Sequence, residues 1–194
     1  MEFVTGFSEI DLLIKMGDIE YKNGNKKNIL NYYLRAFKSH PLYREEEVVT
    51  KIRKISLTLN YWQEVKKEII VRLEQKEHYR MLIEIYLKDH DFDEAYNIAS
   101  QVKSCNIDDK EMVAKALVKD FPKMAAELYK MIGEGFVSRA NMESYQKALY
   151  YFKKVQKIYF SIGISKEFSS YIDKLCSDNV KKRLLQKQLS KLNQ

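Results

Sequence analysis

Asp89, Asp91 and Asp93 alternate as the first ligands of a calcium-binding loop do. Such a loop needs glycine at its sixth place and a bidentate glutamate at its twelfth, but these places fall on Glu94 and Ser100. The spacing therefore implies a solvated turn followed by carboxylates at a helix N-terminus, where the helix dipole favours them. His40, His78 and His90 stand apart from one another and from any cysteine at ligand spacing, so they read as turn histidines. Cys105 and Cys176 form neither a metal knuckle nor a disulfide framework and are expected as core or near-core thiols. Gly133-Glu134-Gly135 lacks the Lys-Ser/Thr that a phosphate cradle requires; inside a helix it would mark a kink or the close approach of a neighbour. No catalytic residue, metal site or cofactor is implied, and the chain reads as non-enzymatic.

The elements that would position any site are helical. Apolar residues recur at three- and four-residue steps almost throughout, and no segment sustains the alternation of a strand. Helices are expected over 8–23, 26–39, 44–59, 62–75, 78–89, 92–104, 109–120, 122–138, 143–162, 165–177 and 179–192. Breaks fall at Gly24-Asn25, His40-Pro41, Asp89-His90-Asp91, Cys105-Asn106, Phe121-Pro122, Asn141 and Gly163. Connections this short make consecutive helices antiparallel.

The chain of 194 residues carries a net charge of +7. Residues 1–142 balance 23 basic against 23 acidic residues, whereas residues 143–194 hold 11 basic and 4 acidic ones. All of the excess positive charge thus lies in the last quarter, as suits an anionic partner there. No apolar run is long enough to span a membrane, so no membrane partner is expected. The start, MEFVTGFSEIDLL, lacks the basic opening and apolar core of a signal peptide, and cysteine usage suits a reducing compartment, so a cytoplasmic location is expected.

A pattern of small and large residues recurs along the helices. Gly17 and Ala36 sit inside consecutive helices, with Tyr33 between them in sequence and Pro41 closing the second. Phe92, Ala95 and Ala99 repeat the spacing, as do Tyr145, Ala148, Phe152 and Val155, and more loosely Trp62, Val65 and Ile69. Met112, Val113 and Ala116 would face Ala125, with Tyr129 and Ile132 following. Residues 10–41 resemble a tetratricopeptide repeat through Met16-Gly17, Tyr33, Ala36 and Pro41, although Glu20 stands where an aromatic is usual and Ile29 where a small residue is usual. Residues from about 62 onward resemble the helical C-terminal region of bacterial SWIM zinc-finger proteins. That likeness rests on YRMLIEIYLKDHDFDEA, SYQKALYYFKKVQKIYFSIG and EFSSYIDKLCSDNVKKRLLQKQLSKL in order, without the Cys-x-Cys and Cys-x-His zinc motif.

These resemblances imply an all-α, TPR-like right-handed superhelical array of antiparallel helix hairpins, a single solenoid over residues 1–194 with capping helices at 165–194. They imply a scaffold that binds a peptide or partner helix on its concave face. The matching positions are Asp11, Ile14, Asp18, Tyr21 and Lys22 in the first repeat, and Glu77, Arg80, Glu84, Leu87 and Lys88 in the repeat around Ala95. The alternative is association with DNA or RNA through Lys181, Lys182, Arg183 and Lys187. These lie on a terminal helix whose other side carries Leu184, Leu185, Leu189 and Leu192. Most aromatic residues are expected in the core, since base stacking needs them exposed among cations.

Overall fold

The computed structural model describes residues 9–39 and 45–192, and every regular element among them is helical. The chain divides into two compact units, residues 1–78 and 79–194. His40 and Pro41 lie outside the described residues.

The first unit contains α1 (Glu9–Lys22), α2 (Lys26–Ser39), α3 (Glu45–Thr58) and α4 (Trp62–Gln75), each packed against the next. α1 buries Ile10, Leu13, Ile14 and Gly17, and α2 answers with Ile29, Tyr33, Ala36 and Phe37. The approach is close because Gly17 has no side chain: a Cβ there would lie 2.3 Å from the Tyr33 ring. Polar groups at this seam are satisfied in place. The Tyr33 hydroxyl donates to Asp18 at 2.6 Å, and the Lys51 ammonium reaches the same oxygen at 2.5 Å. At the start of α3, the buried Glu45 carboxylate pairs with Lys76 at 3.1 Å and faces His78 Nδ1 at 2.9 Å.

The second unit contains α5 (Tyr79–Lys88), α6 (Phe92–Gln101), α7 (Ile107–Leu117), α8 (Pro122–Ser138), α9 (Met142–Ser161), α10 (Ser165–Asp178), α11 (Arg183–Leu189) and a terminal 3-10 turn, Ser190–Leu192. One continuous core runs through it from Ile83 to Leu192. The α8–α9 pair makes the most extensive helix contact in the unit. Gly133-Glu134-Gly135 does not break α8. Gly133 instead admits a neighbour, since a Cβ there would lie 2.4 Å from the Phe152 ring of α9. Gly135 faces open space.

Helix ends follow local chemistry. Gly24, Asn60, Glu77, His90 and Gly163 all adopt left-handed φ, between 55° and 76°. At each, the next N–H donates back to a carbonyl of the last helical turn: Asn25 to Glu20, Tyr61 to Ser56, His78 to Leu73, Asp91 to Tyr86 and Ile164 to Tyr159. α7 starts at Ile107, two residues before the expected start. Asn106 accepts from the Asp109 N–H at 3.0 Å while Asp109 accepts from the Asn106 N–H at 3.2 Å, a reciprocal cap. The core face of α7 is Val113, Ala114 and Leu117, so Ala116, expected inward, points to solvent. The last helix is shorter than the expected 179–192. Lys182 N–H turns back to the Asn179 carbonyl, and the Gln186 amide binds the Cys176 and Asn179 carbonyls, so helix resumes only at Arg183. In that register Leu185, Leu189 and Leu192 are buried and Leu184 is exposed.

Gly133→Ala should lower stability by about 1–3 kcal/mol through overpacking. Gly135→Ala, two residues away in open space, should raise it by about 0.5–1 kcal/mol through helix propensity. Urea unfolding of the two variants checks this opposition of sign. Glu77→Gly should relieve the left-handed strain and raise the thermal midpoint, by about 0.5–1 kcal/mol in stability.

Candidate functional site

A groove of about 1010 Å³ opens between the start of α7, the second half of α8 and the first half of α9. Three local features shape it. The Asn106 cap sets the loop before α7, and Lys110 of α7 donates back to the Cys105 carbonyl at 3.1 Å, holding that loop down. Gly135 contributes no side chain and leaves the wall of α8 low. Asn141 caps α9 by accepting from the Ser144 N–H at 2.9 Å, which fixes where the first turn of α9 begins.

The floor is apolar and ordered by ring packing. Phe136 stacks on Tyr151 with centroids 5.9 Å apart and planes 12° from parallel, beside Ile132 and Met131. The rim is mixed but carries more positive than negative groups: Lys110, Arg139 and Lys147 against Asp108 and Glu143. The Arg139 guanidinium lies 4.8 Å from the Phe136 centroid and has no carboxylate partner among the described residues. Lys147 pairs with Glu143 at 2.7 Å.

Beneath the floor, Glu111 anchors the network. Its carboxylate accepts from Lys154 at 2.8 Å and from the Tyr151 hydroxyl at 3.0 Å, and pairs with Lys115 at 3.1 Å. Burial opposes ionisation of Glu111, but the bonds from Lys154, Lys115 and Tyr151 outweigh it and hold its pKa down at about 2. Burial and the Glu111 carboxylate push the Tyr151 hydroxyl up to about 12. Cys105 at the groove edge has its thiol pKa pushed up by burial against the pull of Lys110, so it stays protonated at neutral pH. Among the described residues no three His, Cys, Asp or Glu side chains converge as a metal-ligand set. No helix among them is long and apolar enough to cross a membrane. The arrangement can hold an apolar side chain on the floor and an anionic group at the rim.

The residues expected from sequence to meet a partner are distributed differently. Ile14 is 2% exposed and belongs to the first unit's core, which corrects its reading as a surface anchor. Asp18 is occupied by Tyr33 and Lys51, and Asp11 also has a partner. Tyr21 is half-exposed with the Lys54 ammonium 5.2 Å from its ring centroid, and Lys22 is exposed beside it in sequence. Glu77 occupies its turn. Arg80 joins Glu84 at 3.4 Å and Asp109 at 3.3 Å, while Leu87 packs on the core and Lys88 is exposed. Lys181, Arg183 and Lys187 are exposed. Lys182 is half-buried, donates to the Val137 carbonyl at 3.4 Å and borders a smaller cavity of about 420 Å³. None of these positions lines the groove. The sequence reading missed it because Tyr150-Tyr151 looks like ordinary core and Arg139 is one charge at a helix end. The unneeded glycine at 135 was the available signal.

Because the native pKa of Glu111 is depressed below its ordinary 4.5, its stabilising contribution is complete above pH 4.5 and is lost as the pH falls toward 2. Glu111→Gln should cost about 1–3 kcal/mol at neutral pH. It should also flatten the fall in stability across that acid range, measured as the urea midpoint against pH.

No protein-family profile matches the chain, and no curated protein or solved structure is detectably similar to it.

Proposed function

We propose that this chain is a non-enzymatic interaction scaffold built as a TPR-like array of helix hairpins, and that its second unit holds a segment of a partner protein in the α7–α8–α9 groove. The observation that carries the reading is the groove itself: an open channel with an aromatic floor and, at its rim, a guanidinium with no carboxylate partner among the described residues. Antiparallel helices joined by short, repeated left-handed turns support the hairpin array, as does the glycine-for-aromatic fit in the first hairpin. Recognition then follows the helix- or peptide-in-groove mode, in which a few apolar anchors supply affinity and rim charges set register. The resemblance of residues from about 62 onward to the C-terminal region of SWIM zinc-finger proteins belongs to the same proposal and agrees with a binding role.

The alternative, nucleic-acid association through the terminal cations, draws on one observation. Lys181, Arg183 and Lys187 are exposed and unpaired with any carboxylate among the described residues.

A displayed library of random peptides tests the leading reading. Peptides selected on the full chain should lose at least about tenfold in affinity, or about 1.4 kcal/mol, on Gly135→Trp, which fills the groove from an open position, and on Arg139→Glu. Selected peptides indifferent to both substitutions would refute the groove as the binding site.

A further inference from the structure

α9 carries a second surface that its packing against α8, α10 and α11 leaves uncovered. Tyr150 and Phe160 are 55% and 60% exposed, the latter far more than a core aromatic tolerates. Lys153 and Lys157 are exposed between them in sequence. At the helical turn angle these four side chains fall within an arc of roughly 80°, and the two rings stand about 15 Å apart along the axis. Lys153 and Lys157 have no carboxylate partner among the described residues, and α9 contains no acidic residue after Glu143.

The flanks of this face are ordered. On one side Lys154 sits 4.5 Å from the Tyr150 centroid while bound to Glu111, and Tyr151 meets the Tyr150 ring edge-on at 5.1 Å. The Tyr150 ring is therefore held in place while more than half its surface faces solvent. On the other side the Gln156 amide donates to the Leu192 carbonyl at 2.7 Å, which brings the terminal turn and exposed Lys191 alongside α9. All of the chain's excess positive charge lies in residues 143–194, which include this surface.

We infer that this face of α9 binds single-stranded nucleic acid, with Tyr150 and Phe160 stacking on bases and Lys153 and Lys157 contacting the phosphates between them. The charge is complementary, and exposed aromatics interleaved with unpaired lysines are what a strand-tracking surface requires. A duplex hides the base faces that the rings would meet and offers them nothing beyond phosphates. A bilayer would gather the apolar groups into one stripe, whereas here two unpaired ammonium groups separate the rings. Tyr150 also lines the groove, whereas Phe160, Lys153 and Lys157 do not, so those three positions test this face apart from the groove reading.

Fluorescence anisotropy of a labelled oligothymidylate, and of a duplex of equal length, tests the inference on the full chain at low and moderate salt. The single strand should bind more tightly than the duplex. Phe160→Ser and Tyr150→Ser should each weaken single-strand binding by roughly 5- to 100-fold with little change in salt slope. Lys153→Gln with Lys157→Gln should flatten that slope by about 1.4 units. All four positions are exposed, so unchanged thermal midpoints should accompany these losses. Absence of binding at low salt would overturn the inference, as would equal affinity for duplex with Phe160→Ser silent. So would loss of binding only in the combined Lys181→Gln, Arg183→Gln and Lys187→Gln variant, which would move the contact to the terminal helix. Binding to phosphatidylserine vesicles with the same α9 dependence and no oligonucleotide binding would assign the face to membranes instead.

Discussion

Two helix pairs, one in each unit, approach as closely as they do because a glycine faces an aromatic ring. Gly17 receives Tyr33 and Gly133 receives Phe152, and at both places even a methyl group would overlap the ring. Cores are close-packed, so a ring that enters the space of a missing side chain fixes the separation and register of the two helices. In the second unit that register has visible consequences. It brings Phe136 of α8 onto Tyr151 of α9, which forms the groove floor, and holds Tyr129 6.1 Å from the same ring. It also leaves Gly135 facing outward, so the groove stays open.

Buried and half-buried lysines are handled by a repeated device. Lys51 reaches Asp18 and lies 5.5 Å from the Tyr33 ring centroid. Lys130 reaches Glu127 at 2.8 Å and lies 4.6 Å from the Tyr171 centroid. Lys154 reaches Glu111 and is surrounded by Tyr129, Tyr150 and Tyr151. In each case the aliphatic stem covers aromatic surface while the ammonium keeps a carboxylate and a ring quadrupole for company. These lysines are spent on cohesion. That division separates them from Arg139, Lys153 and Lys157, which have no carboxylate partner among the described residues.

Much of the architecture was readable from the residues. Each expected helix exists, and the turn residues at Gly24, Asp89-His90-Asp91 and Gly163 mark real ends, because local backbone chemistry decides where a helix stops. Boundaries erred where a side chain competed with the simple pattern. Asn106 and Asp109 cap each other and lengthen α7 at its start, and Gln186 binds two carbonyls of the preceding turn and shortens the last helix. Facing erred in the same way. Ala116 and Leu184 satisfy a three-four spacing on paper, yet Ala114 fills the core in place of Ala116, and of the four leucines expected inward on the last helix only Leu184 is exposed.

The candidate site divides along the same line. Periodicity, small residues and turn chemistry are local properties, and they determined that this chain is a series of short helices, neighbours in sequence packed on one another, with glycine at particular contacts. Charge counting likewise located the excess positive charge in the last quarter. Which charges are free, which aromatics are exposed and where a groove opens depend on contacts among α7, α8 and α9 that lie up to 43 residues apart, as with Lys154 and Glu111. No spacing rule within a helix encodes those pairings. They arise only when Gly133 accepts Phe152 and the two helices settle into register, and that packing decided which side chains of this protein are left exposed.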